Sequence, residues 1–257
     1  MKLTIEEIQK ITNEIVKEVT EICKDHQITY YLAYGSVIGA IRHNGPIPWD
    51  KDVDIILPIN EMDDFVNTMR EQLSDKFYVD YYDINETYPG LFPRIGLKGY
   101  STKELHVDIF KLVGVAKNEK EQMKFTRWTR ILTLMFKAKQ RGKEYFRNKF
   151  DWLLLPVLKF MLLPISTKTI INKFEKLCSK YPYHEAEFVV NPNEGYYGKE
   201  VLPKSYYGDG KDSIYSHIDV NIPEEYDRYL HHFYGNYMEL PSDEEREIKK
   251  YYQINKS

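Results

Sequence analysis

The chain has 257 residues, 42% of them hydrophobic and 29% charged, a balance ordinary for a globular protein. A formal net charge of −3 argues against nucleic-acid binding through bulk positive charge. The two cysteines, Cys23 and Cys178, form no C-x-x-C pair, which argues against a zinc site or a disulfide framework.

The N-terminus, MKLTIEEIQKITNEIV, has no apolar run of the signal-peptide kind, so a cytoplasmic protein is expected. The glycosylation sequon Asn85-Glu86-Thr87 is then a chance match. Residues 4–26 are predicted as an amphipathic helix, with Ile5, Ile8, Ile11, Ile15, Val19 and Ile22 at helical spacing. Thr4 followed by Glu7 is a capping-box pattern. A strand is predicted over 28–33, a short helix over Ser36 to Arg42, and a loop at HNGPIP. The next strand is predicted over 52–57, followed by a helix over 61–73 with Asn60 as its cap. Further strands are predicted at 77–82, near 92–99 and at 105–112, so the first 115 residues form a compact α/β unit.

The composition then changes. Between Lys117 and Phe150 there are eleven Lys or Arg against three Glu, and WLLLPVLKFMLLP follows at 152–164. That run is short of the roughly 20 apolar residues that span a bilayer. Two readings stand side by side: an interfacial helix on an anionic membrane, or a helical hairpin with one core face and one solvated face. Pro156 and Pro164 would kink or end a helix there. Beyond it come short elements, with loops around Gly198, Gly208 and Gly210 and a helix from near Pro223 to before Gly235.

The segment YLAYGSVIGAIRHNGPIPWDKDVDIILP carries the chemistry. Alternate strand residues share a face, so Asp52 and Asp54 project together while Val53 and Ile55 enter the core. Adjacent carboxylates repel, and a divalent cation relieves that repulsion. Mg²⁺ takes one or two carboxylates together with substrate phosphates. Gly35-Ser36, at a strand-to-helix break, can let a phosphate approach the backbone and offer it a hydroxyl. Arg42 and His43 add positive charge or donors nearby.

Strand, Gly-Ser, helix, loop and D-x-D in this order resemble the nucleotidyltransferase superfamily. The longer run YGSVIGAIRHNGPIPWDKDVDI closely resembles the LicD family, which is similar to fukutin and fukutin-related protein. VDIFKL resembles the family's later acidic strand, and VNIPEEYDRYLHHFYGNYMELP its C-terminal signature. The resemblance implies an α+β fold: a nucleotidyltransferase-like mixed sheet over 1–116, a basic and apolar helical insertion over 117–170, and a C-terminal part, 171–257, completing the cleft.

It further implies a phosphotransferase that moves phosphocholine from CDP-choline onto a bacterial surface glycan, such as a teichoic acid, lipopolysaccharide or capsule precursor, and releases CMP. Asp52, Asp54 and Asp108 would be catalytic and metal-binding, with Mg²⁺ (or Mn²⁺) as cofactor. Gly35, Ser36, Arg42 and His43 would bind the donor. Asp108 would complete the metal site or take the proton of the acceptor hydroxyl. Trp49 stacks or, the favoured reading, fills the core; Asp50 orients a neighbour or caps the turn. The Tyr196–Lys199 and Tyr207–Lys211 stretches are candidate cleft walls. Alternatives are another head group (phosphoribitol, phosphoglycerol or an aminoethylphosphonate), a nucleotidyltransferase proper, or an inactive membrane-peripheral relative. The expected partners are a CDP-linked donor, a glycan or lipid-linked glycan, and an anionic membrane at its inner face, with no nucleic acid.

Overall fold

The computed structural model describes residues 1–82, 88, 90–140, 160–193, 199–246 and 252–255. The sequon at 85–87, Trp152 and Pro156, and Tyr196–Gly198 lie outside the described residues.

In chain order the elements are β1 (Lys2–Leu3), α1 (Ile5–Asp25), β2 (Tyr31–Leu32), α2 (Tyr34–Ile38), β3 (Asp54–Pro58), α3 (Met62–Gln72), β4 (Phe77–Asp80), β5 (Arg94–Leu97) and β6 (His106–Val115). Then follow α4 (Glu119–Gln140), α5 (Thr167–Cys178), β7 (Phe188–Val190), β8 (Leu202–Pro203), β9 (Lys211–Tyr215), β10 (Ile218–Ile222), α6 (Tyr226–Tyr234) and β11 (Tyr252–Gln253). The main sheet is mixed, in the order β2-β3-β6-β5-β4, with β7 and β8 extending from β6. This is the expected α+β architecture.

Among the described residues only β3 and β6 run parallel; the other pairs in this sheet are antiparallel. A parallel pair needs a crossover, and α3, β4 and β5 supply it. β6 is long enough to hold β5 beside its first residues and β7 beside Val113–Val115. Residues from the last third of the chain therefore complete the same sheet as the N-terminal motif.

Helix α1 forms as its sequence dictates. The Thr4 hydroxyl accepts from the Glu7 N–H, and the Glu7 carboxylate accepts from the Thr4 N–H. Of its apolar stripe Ile8, Ile15 and Val19 are fully buried and Ile11 partly so, with Ile15 and Val19 in the main core cluster. Phe65, Val66 and Met69 of α3 join the same cluster. A second cluster packs Phe125, Leu132 and Phe136 of α4 and Phe174 of α5 against Val113 and Val115 at the far end of β6.

Several expected boundaries move. The strand expected from 52 starts at Asp54, because Asp52 lies in a turn capped by Asp50. The strand over 28–33 shrinks to Tyr31–Leu32. Asn60 does not cap α3: a 3₁₀ turn over Ile59–Glu61 precedes the helix, and the Asn60 amide donates to Glu61 instead. The helix expected from Ser36 to Arg42 is two pieces, α2 and a π-helical turn over Gly39–His43.

Candidate active site

The parallel register of β3 and β6 sets Asp54 beside Asp108, and the β5 register sets Arg94 on the other side of Asp108. Residues opposite each other in neighbouring strands share a face. An acid–acid–arginine row therefore crosses three strands. Arg94 Nε donates to Asp108 Oδ1 at 2.7 Å, and Arg94 Nη1 donates to the Thr102 carbonyl at 3.1 Å. His106, two residues before Asp108 and so on the same face, brings its Nε2 to 3.3 Å from the same carboxylate. Burial opposes charge on Asp108, but the adjacent His106 ring and the Arg94 guanidinium outweigh it and hold the carboxyl well below its usual range.

The loop before β3 is braced from several sides. Gln9 of α1 donates to the carbonyls of Ile47 (2.9 Å) and Asp50 (2.6 Å). Asp50 accepts the Asp52 N–H at 3.1 Å, so it does cap the turn, and it also lines the cleft. Burial and the neighbouring Asp52 raise the Asp50 carboxyl, partly offset by hydrogen bonding to the Asp52 backbone. Lys51 pairs with Asp52. The Ser36 hydroxyl accepts the Asp54 N–H at 2.9 Å, tying α2 to the first residue of β3. A side chain on Gly35 would place its Cβ 3.3 Å from Asp50 Oδ2.

Tyr34 opens α2 with φ of 50°, a left-handed conformation uncommon for a non-glycine residue. Such strain costs about 1–3 kcal/mol and persists where surroundings enforce it. Here the enforcement is visible. The Tyr34 N–H donates to the Tyr229 hydroxyl of α6 (3.0 Å), the Tyr34 hydroxyl donates to Glu200 (2.8 Å), and Asn191 donates to the Tyr34 hydroxyl (3.0 Å). Phe110 and Phe233 stand edge-on to its ring.

Gly35, Arg42, Asp52, Asp54 and Asp108 all line one cleft of about 680 Å³. Ser36 and His43 are not among its lining residues: Ser36 is buried on Asp54, and the His43 ring stands edge-on to Trp49 at 5.7 Å. Burial and the Arg42 charge lower the His43 pKa, and its Nε2 accepts from Arg42 Nε at 3.0 Å. Arg42 directs Nη1 to the carbonyls of Tyr237 and Glu239 and lies over Trp49 at 5.9 Å. Trp49 packs against the core, the favoured of its two expected roles, and also lines the cleft.

The cleft also holds Arg94, Lys103, His106 and Glu239, which sequence reasoning passed over, and Tyr234, Asn236 and Tyr237 of the C-terminal signature, for which closing over the site is one of two readings. His106 was open to discovery, since i and i+2 on a strand share a face. Tyr207 is instead buried against Tyr31 and Tyr229 and lines no part of this cleft.

Asp52 and Asp54 are hard oxygen donors beside a cleft large enough for a phosphate-bearing ligand, a donor set that suits Mg²⁺. Among the described residues no group of three or more His, Cys, Asp or Glu side chains is placed to hold a metal ion. Asp108, the third acid, is engaged by Arg94 and His106.

Residues 27–146 match the family described as LicD/FKTN/FKRP, nucleotidyltransferase domain. The chain is 27% identical over 257 residues, covering 95% of each sequence, to the lipopolysaccharide cholinephosphotransferase LicD of Haemophilus influenzae. Over 42 residues, 16% of this chain, it is 38% identical to uncharacterized proteins of Rickettsia prowazekii and Rickettsia typhi. The motif whose acids line the cleft falls inside the residues that match this family, and the full-length similarity carries the likeness to a LicD protein through the C-terminal segment that walls the cleft.

Proposed function

We propose that this chain is an enzyme that transfers phosphocholine from CDP-choline to a hydroxyl of a surface glycan, with CMP as leaving group. The convergence of Gly35, Asp52, Asp54 and Asp108 on one cleft carries this reading. The full-length similarity to a cholinephosphotransferase supports it.

Asp52 and Asp54 would hold Mg²⁺, which when bound offsets the charge of the donor diphosphate. The backbone at Gly35, bare of a side chain, lets the donor come close to that wall. The acceptor hydroxyl oxygen attacks the phosphorus next to choline as the bond to CMP breaks, and the hydroxyl proton passes to water or to the departing CMP phosphate. Transfer of this kind depends on position and charge more than on covalent chemistry. Asp108, held ionised by Arg94 and His106, is poorly matched to take a proton near neutral pH. Its part is to fix the charge and position of the Asp54–Asp108–Arg94 row. Tyr237 and Glu239 line the same cleft, and we assign them to the acceptor side.

The test uses the purified chain with Mg²⁺, a panel of CDP-linked donors and a glycan acceptor. CMP release with CDP-choline is expected, together with head-group transfer to the acceptor. Asp52→Asn should keep the thermal melt, since Asp52 is half exposed and its main contact is Lys51, while transfer falls by at least about 10³-fold. Turnover near wild type in Asp52→Asn, or nucleotide found attached to the acceptor, would defeat the assignment.

A further inference from the structure

Ten large apolar side chains stand exposed among the described residues, and six of them belong to one region. Met123, Trp128 and Leu134 project from α4 at 50–64% exposure, and Phe160, Met161 and Leu163 from the turn before α5 at 66–74%. Lys139 near the end of α4 donates to the carbonyls of Leu162 and Ile165, which holds that turn to the end of the helix.

Helix α4 has two faces. Phe125, Thr129, Leu132 and Phe136 recur at i, i+4, i+7 and i+11 and are buried against α5 and β6. Met123, Arg127, Arg130 and Leu134 follow the same spacing on the opposite side of the helix and are exposed. Lys120 and Lys124 are exposed on the same helix. The helix carries six Lys or Arg and two Glu, while the whole chain is −3, so positive charge is concentrated here.

We propose that this outward face of α4, with the Phe160–Leu163 turn, docks on an anionic phospholipid bilayer. Apolar tips separated by cations suit an interface where acyl chains lie just beneath phosphates. A partner helix would need a continuous apolar seam, and the interleaved Arg127 and Arg130 interrupt one. No helix among the described residues is long and apolar enough to cross a membrane, so contact would be peripheral. No residue of α4 lines the catalytic cleft, so docking is separable from the proposed transfer.

Sedimentation with phosphatidylcholine vesicles containing phosphatidylglycerol, against pure phosphatidylcholine vesicles, tests it. Binding to the anionic vesicles is expected, falling as salt is raised. The double variant Lys124→Glu/Arg127→Glu should partition at least about tenfold more weakly. The variant Met123→Ser/Trp128→Ser/Leu134→Ser should also lose binding. Both keep the wild-type melting temperature and, assayed without vesicles, the wild-type rate of CMP release. Absence of binding to anionic vesicles, or variants that bind like wild type, would overturn the proposal. A concentration-dependent dimer that both substitutions abolish, with no vesicle binding, would assign the face to a second copy and overturn it equally.

Discussion

At the scale of single residues, charge burial and close approach separate roles that the sequence runs together. Lys111 is almost fully buried on β6, with its ammonium 2.6 Å from Glu175 and over the rings of Tyr81 and Tyr82. Burial disfavours its charge, yet Glu175 outweighs burial and raises the lysine pKa. The partners are unequally buried, 3% exposed against 30%. Glu175→Ala strands a buried cation and should cost about 3–5 kcal/mol in urea denaturation. Lys111→Met leaves a carboxylate that water can reach and should cost about 1 kcal/mol or less. Because the folded pKa of Lys111 is raised, its contribution is complete below about pH 10.4 and fades as pH climbs past it. Stability should therefore fall more steeply there in wild type than in Lys111→Met. Gly35 poses the opposite case, since its backbone needs no left-handed conformation. Alanine there favours the helix by up to about 1 kcal/mol, but its Cβ would press on Asp50 Oδ2 at 3.3 Å. Gly35→Ala should keep or raise the melting temperature while kcat/KM falls on the order of 10²-fold.

At the scale of elements, what was legible in the sequence was what local physics decides. The apolar period and capping box of α1 sufficed because both lie within the helix. The D-x-D face was legible because strand alternation is local, although the turn cap at Asp50 displaced Asp52 from the strand proper. The Asp54–Asp108–Arg94 row was not, because it depends on pairing strands separated by dozens of residues. The π-helical turn leaves no periodic sign either. Its closure depends on Gly39, whose Cβ would lie 2.5 Å from the Gly45 carbonyl oxygen. The strain at Tyr34 was equally silent, because its restraint comes from α6, nearly two hundred residues away. That restraint gives a test. Tyr229 is fully buried, and Tyr229→Phe removes the acceptor for the Tyr34 N–H without changing the ring. A buried unsatisfied donor costs about 1–3 kcal/mol. A loss of that size in chemical denaturation is expected, with faster hydrogen exchange at Tyr34 and lower transfer, because α2 carries Gly35 and Ser36.

At the scale of the whole molecule, the cleft is assembled from stretches far apart in the chain, and Arg42 is where two of them are fastened. It reaches from the N-terminal motif to the carbonyls of Tyr237 and Glu239, with Trp49 beneath it and Arg246 on the same ring. The termini are fastened separately, β1 to β11 and the terminal amine to the Ile254 carbonyl. Loss of the Arg42 contacts should therefore release residues 236–241 without unfolding the sheet. Two roles for Arg42 can be told apart. If it served as a point charge for donor phosphate, Arg42→Lys would keep most activity. If its planar fork is the fastening, lysine cannot satisfy both carbonyls and His43 together, and Arg42→Lys should behave like Arg42→Ala. The second outcome is expected: both variants lose about ten- to a hundredfold in kcat/KM, with KM for the acceptor rising. Hydrogen exchange should quicken at residues 236–241 and stay unchanged in α1 and β6. Exchange at 236–241 that matches wild type in Arg42→Ala would refute the fastening role and return Arg42 to the phosphate.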